Sequence, residues 1–104
     1  MTGNIYINRA LLTGARVRDG LLHLADNTIF ERCVFEDTLL RSEPEAQFIR
    51  IMQCDLIRCD LREMSWDQFH MCRIEVEVGR DDLLPRRGHI MEAVDCFVRT
   101  GGKL

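Results

Sequence analysis

Apolar residues recur every five positions over most of this chain, and this spacing constrains the fold more than any other feature. The clearest part is residues 54–63, which read Cys-Asp-Leu-Ile-Arg and then Cys-Asp-Leu-Arg-Glu. From Ile51 to Val76 every fifth residue is apolar, and so is each residue two positions earlier. A period of five separates apolar from polar positions better than the periods of 3.6 and 2 that helices and half-buried strands show.

The repeat continues upstream in shifted frames. Its centres there are Phe30, Phe35 and Leu40 in one frame, and Ile7, Leu12, Val17 and Leu22 in another. The frame slips near residues 25–27 and again across residues 43–48, where Pro44 predicts a loop that is pushed out of the repeat. The sequence therefore predicts thirteen pentads between residues 4 and 78.

A small residue followed two positions later by a bulky apolar one resembles the pentapeptide-repeat family, whose consensus is roughly Ala-Asp/Asn-Leu-x-x. Residues 54–58 and 59–63 match best, and residues 33–37 and 10–14 match more weakly. The resemblance implies an all-β fold, a short right-handed quadrilateral β-helix of about three coils with one pentad on each side. Such coils must stack, because a single coil cannot bury its own inward side chains.

One pentad per side also predicts which inward residues stack on one another. The expected columns are Ile7, Phe30, Leu56 and Val76 on side one; Leu12, Phe35 and Leu61 on side two; Val17, Leu40 and Trp66 on side three; and Leu22, Ile51 and Met71 on side four. In the small slot of the pentads, Cys33 is expected to stack on Cys59. Cys72, which follows a centre residue, is expected to point outward.

Residues 79–104 are expected to cap the last coil. Within residues 87–99 the apolar side chains follow an i, i+1, i+4, i+7, i+8 pattern, which predicts an amphipathic α-helix with Gly101 as its stop. The alternative, which the sequence leaves open, is that the apolar face of this helix binds a second chain, as in a homodimer.

Length and composition limit the class of protein. A chain of 104 residues with 46% apolar content is expected to form one domain. Its five cysteines, an odd number without a leader segment, favour reduced thiols in the cytoplasm over a secreted disulfide framework. Because the apolar runs are too short to cross a bilayer, we expect no membrane association.

The charge distribution is the feature most relevant to function. Residues 26–82 carry 14 acidic and 7 basic side chains, whereas residues 1–25 and 83–104 each carry a net charge of +2. On two adjacent sides of the predicted rod the outward carboxylates form rows: Glu31, Asp55, Glu75 and Glu77 on side one, and Glu36, Asp37, Asp60 and Glu63 on side two. Such a surface repels nucleic acid and attracts proteins that bind it, although the same carboxylates could simply solvate the rod.

The resemblance also implies a function, because some pentapeptide-repeat proteins are DNA mimics. It indicates a small phage-encoded inhibitor in the bacterial host cytoplasm that binds a DNA-binding complex. The first expected target is a type I (I-C) Cascade surveillance complex, blocked by an anti-CRISPR protein, and gyrase is the alternative. A protein-interaction module without mimicry is the other class. We expect no enzymatic activity, no cofactor and no metal, since no His, Cys or acidic spacing matches such a motif.

Overall fold

Short parallel strands stack into three sheets in the computed structural model, which describes residues 3–99. Sheet A contains β1 (Gly3–Ile7), β4 (Gly20–Leu24), β7 (Leu39–Ser42) and β10 (Asp60–Glu63). Sheet B contains β2 (Leu11–Thr13), β5 (Thr28–Glu31), β8 (Ile49–Met52) and β11 (Phe69–His70). Sheet C contains β3 (Arg16–Arg18), β6 (Val34–Glu36), β9 (Asp55–Ile57), β12 (Arg73–Glu75) and β13 (Phe97–Arg99). The chain visits the sheets in turn, so it forms a parallel β-solenoid of about four turns.

The corners between the sheets are made by residues in the left-handed backbone region. They are Gly14, Arg32, Gln53, Met71 and Asp95 between sheets B and C; Asp19, Asp37 and Arg58 between C and A; and Arg9, Asn27 and Phe48 between A and B. A positive φ is unfavourable for most side chains. At nine of these eleven corners the N–H donates to a carbonyl on the next coil; for example, Arg32 N donates to Met52 O at 3.0 Å and Asp37 N to Ile57 O at 3.0 Å. This pairing compensates for the strained backbone.

The three-sheet arrangement corrects the predicted columns. The observed columns are Val17, Phe35, Leu56 and Ile74 in sheet C; Leu12, Phe30, Ile51 and Phe69 in sheet B; and Ile5, Leu22 and Leu40 in sheet A. Paired residues are 17 positions apart between β1 and β4, 18 between β4 and β7 and 21 between β5 and β8. A fixed coil of four pentads is therefore wrong. One physical reason is that β4 is long enough to bury both Leu22 and Leu24 on a single side.

Inward side chains fill the space between the sheets. Phe30, Phe35, Leu56 and Leu61 have no exposed surface, as the repeat predicts. The rings of Phe30 and Phe35 lie edge to face with their centroids 5.1 Å apart. Burial of such side chains from successive coils supplies the main stabilising free energy, since each coil covers the apolar face of the one before it.

A 3-10 helix at Trp66–Gln68 shifts the frame of the repeat. Trp66 itself is buried, as predicted, but Met71 is 46% exposed and Cys72 is only 2% exposed, so both of their predicted orientations are wrong. The cause is local, because the side chain of Gln68 accepts a hydrogen bond from Ser65 N at 2.8 Å and stabilises the extra turn. As a result, the inward residue of β11 is Phe69, which lies two positions before Met71, the residue that a constant period of five would place there.

The predicted C-terminal α-helix is also wrong. The segment instead contains 3-10 helices at Asp81–Leu83 and Ile90–Glu92 and the strand β13. Several backbone bonds bind it to the previous coil, among them those from Met71 N to Val94 O at 2.7 Å and from Phe97 N to Cys72 O at 2.8 Å. A helix would leave these backbone groups between β11 and β12 without partners. Unpaired groups at a sheet edge are unfavourable, so the segment pairs with the edge instead of forming a helix. Gly101, the predicted stop, lies outside the described residues.

Arg87 closes the free edge of sheet A. Its guanidinium donates to Ser42 O at 2.8 Å and to Glu63 O at 2.6 Å, while its own carbonyl accepts from Trp66 N at 3.0 Å. The side chain thus replaces the strand that would otherwise pair with β10. Residues 43–48 form a loop between β7 and β8. Within the described residues no helix is long and apolar enough to span a bilayer.

Substitution of Leu56 by Ala tests the observed sheet C column. Leu56 is fully buried, and removing three carbons from such a site leaves a cavity. The free energy of unfolding should therefore fall by about 2–5 kcal/mol. The neighbouring variant Ile57→Ala is the control, since Ile57 faces outward and is half-buried, and it should lose about 1 kcal/mol. Urea unfolding followed by circular dichroism measures both, and equal losses would contradict the assigned orientation.

Candidate interaction surface

The structure distributes the eight predicted partner-binding carboxylates around the solenoid instead of gathering them on one face. Their positions are: Glu31 on sheet B; Glu36, Asp55 and Glu75 on sheet C; Asp60 and Glu63 on sheet A; Asp37 at the corner between sheets C and A; and Glu77 just after β12. This distribution follows from the changed columns, because residues expected to share a side belong to different sheets.

Arginines lie beside most of these carboxylates. The ion pairs are Glu36 with Arg18 at 3.6 Å and with Arg58 at 3.7 Å, Asp37 with Arg58 at 2.9 Å, Asp60 with Arg62 at 2.6 Å, Glu63 with Arg41 at 2.9 Å, and Glu75 with Arg99 at 3.8 Å. Pairs as exposed as these contribute little stability each. They do reduce the negative potential over much of the rod.

One corner keeps an excess of negative charge. A cleft of about 450 Å³ between sheets C and A is lined by Asp19, Asp37, Asp60 and Glu77, with Arg58 as its cation. We call these four carboxylates the acidic corner. Asp19 was absent from the sequence prediction. It lies directly one coil before Asp37 because this coil has 18 residues, and a coil of four pentads would not align the two residues.

Hydrogen bonds keep two carboxylates of the acidic corner, Asp37 and Asp60, ionised. The Arg58 guanidinium binds Asp37 through two bonds, of 2.9 and 3.1 Å, and holds the pKa of that carboxyl below its ordinary value. Burial pushes the pKa of Asp60 upward, but hydrogen bonds from the Arg62 side chain and backbone N–H lower it overall. Both groups are therefore negative throughout the neutral pH range.

A second cleft, of about 380 Å³, lies beside loop 43–48 and combines both signs of charge. His23 Nε2 approaches Glu43 Oε1 to 2.7 Å, and the guanidinium of Arg41 is held by Glu63. Arg87 Nη2 donates hydrogen bonds to two backbone carbonyls of sheet A. These side chains already have partners within the protein, so the cleft is better explained as a junction that holds the loop and the last coil.

The cysteines form a column that the predicted map missed. Cys33, Cys54 and Cys59 are buried, as predicted, but Cys33 stacks on Cys54, whose sulfur accepts a bond from Cys33 N at 3.3 Å. Cys59 instead lies on Thr38. Burial raises the pKa of Cys59 to about 12, so this thiol stays protonated and is a poor nucleophile. Within residues 3–99, no group of three or more His, Cys, Asp or Glu side chains is arranged to hold a metal ion.

Comparison with known proteins adds no assignment. No family model matches the chain, and no curated protein and no solved structure matches it significantly. The class that the fold itself defines is the parallel β-solenoid, and its stacked coils are compatible with a pentapeptide-repeat fold. Function must therefore be argued from the surface of this solenoid.

Substitution of Arg58 by Gln tests the electrostatics of the acidic corner. Without the guanidinium, the pKa of Asp37 should rise toward its ordinary value of 3.8, and carboxyl NMR titration measures it. Because folding lowers this pKa, the pair stabilises the wild type above the unfolded pKa, and this contribution disappears as pH falls through the folded value. Arg80→Gln is the control, since Arg80 binds Asp82. An unchanged Asp37 titration in Arg58→Gln would refute the coupling.

Proposed function

We propose that this chain is a non-catalytic binding protein that mimics duplex DNA. Its acidic corner occupies a basic DNA-binding channel of a nucleic-acid machine and excludes the duplex. The observation that carries the proposal is the placement of four carboxylates around one cleft. Arginines pair with two of them, Asp37 and Asp60, so the corner keeps an excess of two negative charges. Stacked coils fix the spacing of these charges, so little conformational entropy is lost when a partner binds.

The density of charge along the corner supports mimicry of one DNA strand. Asp19 and Glu77 lie on the first and fourth coils, and at about 4.8 Å per coil they are about 14 Å apart along the solenoid. One strand of B-DNA carries a charge about every 3.4 Å, which gives about four charges over the same length. The corner has the same number of carboxylates, of which Asp37 and Asp60 must exchange their own arginines for the cations of a channel.

The family resemblance directs the choice of target. A rod of about four turns is short, which suits the filling of a single channel. A type I (I-C) CRISPR surveillance complex in the bacterial cytoplasm is the first candidate, so that the protein would be an anti-CRISPR. Gyrase is the alternative target.

A protein-interaction module without mimicry is the second candidate function. The observation that favours it is the neutralisation of five of the eight predicted carboxylates by arginine. In addition, Leu11 and Ile29 are register neighbours on the outer face of sheet B, and Leu11 is 62% exposed. A partner that binds there would contact apolar surface and not the acidic corner.

Neutralisation of the acidic corner distinguishes the two functions. The triple variant Asp19→Asn, Asp37→Asn and Glu77→Gln removes three charges, and Asn tolerates the left-handed conformation at the two corner positions. Wild-type protein should displace a labelled target duplex from purified type I-C surveillance complex, measured by fluorescence polarisation. Displacement by the variant should be at least tenfold weaker, and displacement by the wild type should weaken as salt rises.

The matched control removes three carboxylates elsewhere, with Glu31→Gln, Glu45→Gln and Asp67→Asn. It has the same net charge as the corner variant and should compete as well as the wild type. Gyrase with its DNA substrate provides the second arm of the experiment. Equal loss in both triple variants would indicate general charge without a specific face. Simultaneous binding of protein and duplex by both machines would contradict mimicry and favour the interaction module.

A further inference from the structure

Four of the five cysteines lie in one column along the corner between sheets B and C. Cys33, Cys54, Cys72 and Cys96 occupy successive coils, and each packs against the coil beside it. The sulfur of Cys54 accepts a hydrogen bond from Cys33 N at 3.3 Å, and the sulfur of Cys96 accepts one from Cys72 N at 3.4 Å. Neighbouring thiols can form disulfide bonds, and this reactivity is separate from the proposed role of the acidic corner.

The last two thiols lie at a separation that a disulfide can span. Arg73 is paired with Phe97 in the parallel ladder of β12 and β13, so the residues before them, Cys72 and Cys96, are opposite one another. Phe97 N donates to Cys72 O at 2.8 Å, which fixes this register. Neighbouring parallel strands lie about 4.8 Å apart, and disulfides join Cα atoms that are about 4.4–6.8 Å apart. The hydrogen bond from Cys72 N to the Cys96 sulfur also places this sulfur beside Cys72.

Access differs sharply along the column. Cys33 and Cys54 are 1% exposed and Cys72 is 2% exposed, whereas Cys96 is only partly buried. A dissolved oxidant therefore meets Cys96 first. The adjoining strand β13 has three residues and, among the described strands, pairs only with β12, so this edge of the solenoid is free to adjust when the bond forms.

We propose that Cys96 is a thiol-oxidation site for low-molecular-weight disulfides such as oxidised glutathione, and that Cys72 is its resolving cysteine. The Cys96 thiolate attacks one sulfur of glutathione disulfide, and one glutathione thiolate leaves and takes up a proton. The Cys72 thiolate then attacks the Cys96 sulfur of the mixed disulfide and expels the second glutathione. Two cysteines are oxidised by two electrons, and one glutathione disulfide is reduced to two thiols.

The chemistry around Cys72 suits the second step. A hydrogen bond from the Cys54 thiol lowers the pKa of Cys72 despite its burial, so the resolving thiolate forms more readily. Burial raises the pKa of Cys96, which makes the first attack the slower step and increases its rate as pH rises. The product bond ties the last coil to the preceding one and restricts its opening.

Peptide mapping of the oxidised native protein tests this proposal. Reduced wild-type protein is incubated with oxidised glutathione, alkylated under native conditions and digested for mass spectrometry. The expected product is a Cys72–Cys96 disulfide with the loss of two hydrogens, while Cys33, Cys54 and Cys59 react with the alkylating reagent only after denaturation. Amide exchange at Phe97 should become at least threefold slower in the oxidised form.

Two variants separate the steps. Cys72→Ala should keep a stable glutathione adduct on Cys96, because nothing resolves it, and circular dichroism verifies its fold. Cys59→Ala, outside the column, should give the same disulfide as the wild type. The peptide map of the oxidised wild type tests the proposal even if Cys72→Ala does not fold. In that map, a persistent adduct on Cys96 beside reduced Cys72, a disulfide between another pair, or unmodified Cys96 would each overturn the proposal.

Discussion

Backbone hydrogen bonds from each coil to the next are the constraint on which the rest of this structure depends. At sheet C, Asp55 N binds Cys33 O at 3.0 Å and Arg73 N binds Cys54 O at 2.9 Å, so three coils share one register. This register decides which side chains are buried together, which charges meet at a corner and which thiols are neighbours. The same bonds also explain why the C-terminal segment extends the solenoid, since an edge without a partner would otherwise remain.

The repeat in the sequence predicts the direction of most side chains but not their neighbours. Phe35 and Leu56 were both expected to face inward, and both do. Their stacking on each other was missed, because it depends on the number of residues in a coil. That number changes where loop 43–48 lengthens the path and where the 3-10 helix at Trp66–Gln68 shifts the frame. The frame slip and Pro44 predict the loop, whereas the 3-10 helix gives no periodic signal in the sequence.

The same limitation applies to the candidate site. A count of charges indicates an acidic middle of the chain, and Asp37, Asp60 and Glu77 were named from it. The count could not reveal that arginines such as Arg41 bind carboxylates from an adjacent coil, nor that Asp19 belongs to the same cleft. The C-terminal pattern failed for a related reason. Its apolar spacing fits a helix, but pairing with β12 offers the backbone more partners than an isolated helical segment has.

The order of the coils determines the core, the acidic corner and the cysteine column, and NMR couplings across hydrogen bonds measure that order most directly. In labelled protein, the amide of Asp55 should couple to the carbonyl carbon of Cys33, and the amide of Arg73 to that of Cys54. The two partners of these pairs are 22 and 19 residues apart, whereas uniform coils of four pentads would give both amides the same separation. One constant separation for the two amides, or helical couplings between residues four apart in residues 87–99, would contradict this order of coils.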